Sequence, residues 1–211
     1  IERARRRYNG NSLVNSVNGK EESLDAILPL VKKYGGGLVC LTLDDDGIPE
    51  TVEGRAAIAE KIIARAEALG IPRRELLVDG LTMPVSAGSE NAKVTLGTLR
   101  AAKEMGVKTA LGVSNVSFGL PKRELLNQAF FTMALQNGLD GAIINPKSQP
   151  MMGAYRAYCA LQGLDEQCQD YMEAFRDEAP AAPAPAASDG EITLRQAVCQ
   201  GLKEAATAQA K

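Results

Sequence analysis

The sequence predicts an α/β fold, a partial (β/α)8 TIM barrel of about five strand-helix units, and three observations carry that expectation. Short β-prone runs alternate with longer segments of helical periodicity from about residue 11 to residue 175. The runs are mostly apolar throughout, as parallel strands covered on both faces are. Nearly every run also ends on a polar residue able to do chemistry: Asn15 and Asn18, Thr42 and Asp44, Asp79, Asn115, and Asn145. Strand-helix alternation implies repeated crossovers and a parallel sheet, which an open doubly wound sheet would also satisfy. Polar residues gathered at one end favour the barrel, whose strands all point toward a single mouth. A complete barrel takes about 250 residues, and five parallel strands do not close. The chain, which opens on Ile1, is therefore read as a segment carrying the later barrel units.

In chain order, the strand candidates are "SLVNSV" (12–17), "GLVCLTL" (37–43), "ELLVDGL" (75–81), "KTALGVSN" (108–115) and "DGAIINP" (140–146). The first helix between them shows Leu24, Ile27, Leu28 and Val31 on one stripe, with Lys32 and Lys33 near its C-terminus, where cations suit the helix dipole. Ala57, Ile58, Ile62 and Ala66 form the second stripe, and Leu96, Leu99 and Ala102 the third, which ends at Gly106. Pro121 is read as a first-turn proline of the fourth helix, followed by Leu125, Leu126, Ala129 and Met133. Two further helical stretches are expected around 151–161 and 165–175. Beyond them "RDEAPAAPAPAASDGE" is rich in Pro and Ala, lacks aliphatic core residues, and reads as a semi-rigid tether. Helical periodicity then resumes at Leu194, Val198 and Leu202. The expected organisation is a barrel portion over 1–175, a linker over 176–190 and a helix opening another domain over 191–211.

Composition excludes several functions. A net charge of -2 and a pI near 5.4 argue against nucleic acid as the main partner. The basic run "ERARRRY" at the start reads as a solvated helix face. No apolar run approaches the roughly 18 residues of a membrane span, and no signal peptide is evident, so no membrane role is expected. Cys40, Cys159, Cys168 and Cys199 form no C-x-x-C and share no zinc-like spacing, and they read as reduced thiols of a cytoplasmic protein. Histidine is absent, which removes Ser-His and Cys-His pairs, His bases and His metal ligands.

Four residues stand out for chemistry. Asp79 ends an apolar run, where a carboxylate can cap a loop or accept the paired N–H donors of a flat amidine-like group such as a pterin or guanine edge. Asn15 and Asn115 also end apolar runs, and a buried carboxamide must satisfy both donors and acceptors, so two at one mouth point to a ligand. Turn formation is the alternative, and Asn18-Gly19 illustrates it. Arg123 follows Asn115 by eight residues. The acidic loop Asp44, Asp45, Asp46 lacks full EF-hand spacing and reads as solvated, so no metal site is expected.

Taken together, "LVNSVNG", "LTLDDDGIPET", "LLVDGLTMPVSAG", "GVSNVSFGLPKRELLN" and "GLDGAIINP" resemble, in order, the pterin-binding methyltransferase domain of cobalamin-dependent methionine synthases and methyltetrahydrofolate:corrinoid methyltransferases. The resemblance implies a (β/α)8 barrel that holds 5-methyltetrahydrofolate in its mouth and passes the N5 methyl to cob(I)alamin. It implies Asn15 and Asp79 as pterin ligands, Asn115 beside N5 as the catalytic group, and Arg123 near the site. Cobalamin would be bound by a neighbouring domain in cis or a corrinoid protein in trans, and 191–211 would open a cobalamin-domain cap. A non-catalytic folate-binding module is the main alternative. A dihydropteroate synthase-like enzyme ranks lower, because "IINPKSQP" stands where that enzyme's arginine-histidine anion site is expected.

Overall fold

In the computed structural model, which describes residues 1–176, five strands alternate with helices: β1 (Leu13–Asn18), β2 (Gly37–Leu41), β3 (Leu76–Asp79), β4 (Lys108–Gly112) and β5 (Gly141–Ile143). A short α1 (Glu2–Arg5) precedes them. The connecting helices are α2 (Glu21–Tyr34), α3 (Val52–Ala68), α4 (Asn91–Glu104) and α5 (Arg123–Gln136), with α6 (Gln149–Leu161) and α7 (Gln169–Ala174) after the last strand. Residues Ile1–Tyr171 form one compact unit. The tether over 176–190 and the helix over 191–211 lie, Arg176 excepted, outside the described residues.

All four pairings are parallel and follow chain order, β1-β2-β3-β4-β5. A doubly wound sheet reverses its order at a switch point, and none occurs here, so the order is that of a barrel segment. The two core clusters agree. Val14, Val17, Leu38, Cys40, Leu76 and Val78 pack with the apolar stripes of α2 and α3, and Leu111 packs with α4, α5 and Met151 of α6. Leu28, Leu38, Ile62 and Leu76 are fully removed from water, each contributing about 1.5–3 kcal/mol. Residues paired across these strands share a face, so the opposite face carries Leu13, Asn15, Val39, Leu41, Leu77, Asp79, Ala110 and Ile143. That face is the interior of a barrel.

A register shift between Asn15 and Val17 makes β1 irregular. Strict alternation would turn Val14 and Val17 to opposite sides, and one extra residue lets both reach the helix-side core. Local chemistry sets the helix ends: Thr51 caps α3 by accepting the Gly54 N–H at 3.1 Å, and Ser148 accepts the Met151 N–H at 3.4 Å at the start of α6. A Cβ at Gly97 would lie 2.6 Å from Val52 Cγ2, so only glycine lets α4 approach the start of α3 this closely.

Several boundaries differ from expectation. The third run begins as a 3-10 turn, Arg73–Glu75, before β3. The fourth leaves the sheet at Gly112 and continues as a 3-10 turn, Val113–Ser117, so Asn115 lies beyond the strand. Pro121 precedes α5 rather than opening it: Lys122, left-handed at φ +47, comes between. The basic run also does more than face solvent. Arg5 bonds Ser12 and the Gly35 carbonyl, and Arg6 bonds Tyr34 and Glu2, which fastens the N-terminal turn to the end of α2. Among the described residues no disulfide forms, and burial pushes the Cys40 thiol up to about 12. Among them, too, no helix is long and apolar enough to cross a membrane.

Candidate functional site

A cavity of about 500 Å³ opens beyond the C-terminal ends of β3, β4 and β5, lined by Ile48, Asp79, Leu81, Thr82, Met83, Gly112, Ser114, Asn115 and Ile143. Asp79, Gly112 and Ile143 end β3, β4 and β5, and the others arrive by segments that follow a strand: Ile48 after β2, residues 81–83 after β3, Ser114 and Asn115 after β4. Its size suits a bicyclic ring and its walls are mostly apolar. A larger hollow of about 640 Å³ lies on the outer helices, between α3 and α4, away from the strand ends. Its Arg73 is already engaged by Glu67, at 2.7 Å, and by the Met105 carbonyl.

Asp79 and Asn115, singled out separately in the sequence, meet in the first cavity. Asp79 is 8% exposed. One carboxylate oxygen, Oδ1, accepts the Leu81 N–H at 2.8 Å, and its backbone carbonyl accepts from the Thr42 hydroxyl at 3.0 Å. Burial raises its pKa above the ordinary carboxylate value; the Leu81 N–H and the Arg55 charge pull the other way without cancelling it. A carboxylate held dry, with one oxygen engaged, suits a ligand that offers N–H donors. Asn115 is exposed, on the turn after β4.

Asn15 pairs with Val39 and through it aligns with Leu77, two residues before Asp79. It therefore shares the interior face with Asp79, one layer lower by about 6.6 Å along the strand, and it is not among the cavity's lining residues. The register shift puts Asn18, not Asn15, level with Leu41 and Asp79. Asn18 folds back to accept the Lys20 N–H at 3.1 Å, the turn role the sequence suggests for it. Arg123 also stands outside the lining. Its Nη2 donates to the Ser114 carbonyl at 2.7 Å and its Nε to Ser117 Oγ at 3.0 Å. Ser117, fully buried, donates in turn to Asn127 Oδ1 at 2.7 Å. Arg123 thus braces the turn that carries Asn115.

Residues 1–145 match the family described as "Pterin binding enzyme". The chain belongs to that family. Among curated relatives, this pterin-binding enzyme is 34% identical over 168 residues to a methylcorrinoid:tetrahydrofolate methyltransferase of Eubacterium limosum, across 78% of the chain and 62% of the relative. It is 34% identical over 150 residues to a methionine synthase of Mycobacterium leprae, and 33% identical over 150 to one of Mycobacterium tuberculosis. Both alignments take 64% of the chain and only 12% and 13% of the relatives. The chain therefore spans less than two thirds of each relative's length.

Three features of the candidate site escaped the sequence reading. Arg55 sits 2% exposed behind the β3 loop, and its signal was present: it falls three before Ile58 and seven before Ile62, on the apolar stripe of α3. Leu81 is left-handed at φ +53, which nothing in its sequence announces. Thr82 is 6% exposed, and its hydroxyl oxygen is buried without a hydrogen-bond partner among the described residues. The acidic loop closes as a turn in which Asp44 and Gly47 exchange backbone bonds and Asp44 Oδ1 accepts the Asp46 N–H at 3.1 Å.

Proposed function

We propose that this pterin-binding enzyme transfers a methyl group between the N5 of a tetrahydrofolate and a corrinoid, as in the step that passes the methyl of 5-methyltetrahydrofolate to cob(I)alamin. The carrying observation is the shared cavity: a dry carboxylate, Asp79 at the end of β3, and an exposed carboxamide, Asn115 on the turn after β4, in one apolar-walled pocket. The names of the relatives support the same reading.

In this reading Asp79 accepts the paired N–H donors of the pterin edge, one at Oδ2 and one at the second lone pair of Oδ1, whose first holds the Leu81 N–H. Asn15, one layer lower on the same face, is a second polar contact for the ring. Ile48, Leu81, Met83 and Ile143 give the ring faces an apolar seat. The orphaned Thr82 hydroxyl adds a buried group able to bond a polar ligand atom. Asn115 does the chemistry. A tertiary amine leaves poorly, so its departure needs N5 protonated or hydrogen-bonded. A carboxamide can donate or accept, and so stays in contact as N5 changes protonation, without adding a charge. The same contact serves the methyl moving in either direction. Arg123 holds the turn beneath Asn115, so the remaining acceleration is positioning.

The corrinoid, when presented, supplies the nucleophile that takes the methyl. The residues of this chain act on the folate side, and cobalamin would be carried by a neighbouring domain or a separate corrinoid protein. The relatives' names are compatible with both arrangements, since one is a methylcorrinoid:tetrahydrofolate methyltransferase and the others are methionine synthases.

The test is single-turnover mixing of the intact protein with 5-methyltetrahydrofolate, with and without free cob(I)alamin, followed by the corrinoid absorbance. Demethylation that depends on the corrinoid is expected. Folate binding without turnover would establish a binding module instead, and absence of folate binding would overturn the assignment.

A further inference from the structure

Arg55 is a cation removed from water, at 2% exposure, with no carboxylate among its hydrogen-bond partners. Its Nε donates to the Pro49 carbonyl at 2.8 Å, and its Nη1 to the carbonyls of Gly80 at 2.6 Å and Leu81 at 2.8 Å, with a longer contact to Thr95 Oγ1 at 3.4 Å. One guanidinium therefore ties together the loops after β2 and β3, which deliver Ile48, Leu81, Thr82 and Met83 to the cavity. Between Arg55 and Asp79 stands Leu81, in a left-handed conformation that a leucine avoids. It is pinned from both ends: its N–H donates to Asp79 Oδ1 at 2.8 Å, and its carbonyl accepts from Arg55 and from Thr95 Oγ1, the latter at 3.2 Å.

We propose that Arg55 is the positioning residue of the pterin-binding carboxylate: by anchoring the Gly80 and Leu81 carbonyls it holds Leu81 left-handed, so that the Leu81 N–H engages Oδ1 of Asp79 and turns Oδ2 to the ligand. The proposal rests on the folate reading for the identity of that ligand, while the clamp itself is independent of it. Arg55, from α3, is the charge that acts on Asp79. The residues beside Asp79, Leu41 at the end of β2, Thr42 just after it and Ala110 of β4, and Thr95 and Thr98 of α4 behind the loop, are uncharged.

Tetrahydrofolate affinity of the intact protein, measured by calorimetry with thermal melts as a folding control, tests this. Arg55→Lys keeps the charge and loses the fork, and should weaken binding about tenfold, the worth of a charge-assisted hydrogen bond. In an Asp79→Asn background the same change should cost less than about twofold, because coupled residues are not additive. Leu81→Val, whose branched Cβ resists the left-handed region, should lose more affinity than Leu81→Gly, which adopts that region freely although it also forfeits the apolar contact with the ring. Equal losses from Arg55→Lys in both backgrounds, or wild-type affinity in Leu81→Val, would overturn the proposal. A ligand-free readout separates it from the folate reading: the Asp79 carboxyl, followed by carbon-13 NMR, should titrate at higher pH in Arg55→Gln. An unmoved midpoint overturns the clamp even if folate binds, whereas a moved midpoint without folate binding to wild type upholds the clamp and rejects the folate reading.

Discussion

Asp79 and Asn115 line one cavity from neighbouring strand ends, yet Asp79 is buried and held from behind by an arginine that is itself buried, whereas Asn115 is exposed on a turn braced by an exposed arginine, Arg123. Both arginines work alike, by bonding backbone carbonyls: Gly80 and Leu81 for Arg55, Ser114 for Arg123. The environments differ because the tasks differ. A charge that recognises a ligand gains selectivity from being dry, and its burial is tolerable when a second charge sits behind it. A neutral amide that follows a changing proton has no such need and can lie at the open rim, where a methyl acceptor must reach.

The largest effect expected from breaking this contrast is kinetic. Asn115→Ala should slow methyl transfer about 10²- to 10³-fold, the loss typical of a group that contacts developing charge, with folate affinity little changed. Equal loss of rate and affinity in single-turnover and binding assays would remove the N5 role.

Next in size, Asp79→Asn should weaken tetrahydrofolate binding about a hundredfold, the upper range for a hydrogen bond to a charged group. Its melting temperature at pH 7 should match or exceed wild type. Burial raises the Asp79 pKa even with Arg55 present, so ionising this group costs the fold net free energy. That stability is fully present below the ordinary carboxylate pKa and is lost as pH rises through the raised folded value. A lower melting temperature for the variant at pH 7 would contradict this.

Binding carries the opposite sign. The ionised carboxylate is the acceptor, so tetrahydrofolate affinity should fall as pH drops through the raised pKa, by at most about tenfold per pH unit, and the slope should vanish in Asp79→Asn. Calorimetry across the acidic range checks it.

The smallest effect belongs to Arg123. Arg123→Ala should slow methyl transfer about three- to tenfold by loosening the turn, with a melting temperature close to wild type because exposed side chains contribute little. A large drop in the melting temperature would make Arg123 a fold residue and end its parallel with Arg55.

Much of this contrast was legible before any coordinates. Strand ends showed where a polar residue interrupts an apolar run, which picked out Asp79, Asn115 and Asn15. What the runs could not give was level. Whether Asn15 or Asn18 stands beside Asp79 depends on one extra residue in β1, set by the need of both Val14 and Val17 to reach the core. Nor could they give the point at which β4 leaves the sheet, since "GVSN" reads as continued strand until the 3-10 turn forms. Arg55 was overlooked because a cation in a helix is ordinarily assigned to solvent, although its place on the apolar stripe of α3 argued otherwise. The left-handed Leu81 follows from tertiary bonds alone and has no local signature.

The sequential strand order also governs how such a site comes into being. Each ladder joins a strand to the one made just before it, with partners 23 positions apart (Val17 to Cys40) to 38 (Leu38 to Leu76). Loops of that length close at modest entropic cost, so a growing polypeptide can add its units one at a time. The cavity is walled in stages: the fourth strand brings Gly112, Ser114 and Asn115 beside Asp79, and the fifth completes it with Ile143. A defect in either docking event would leave Asp79 in place with the pocket around it unfinished.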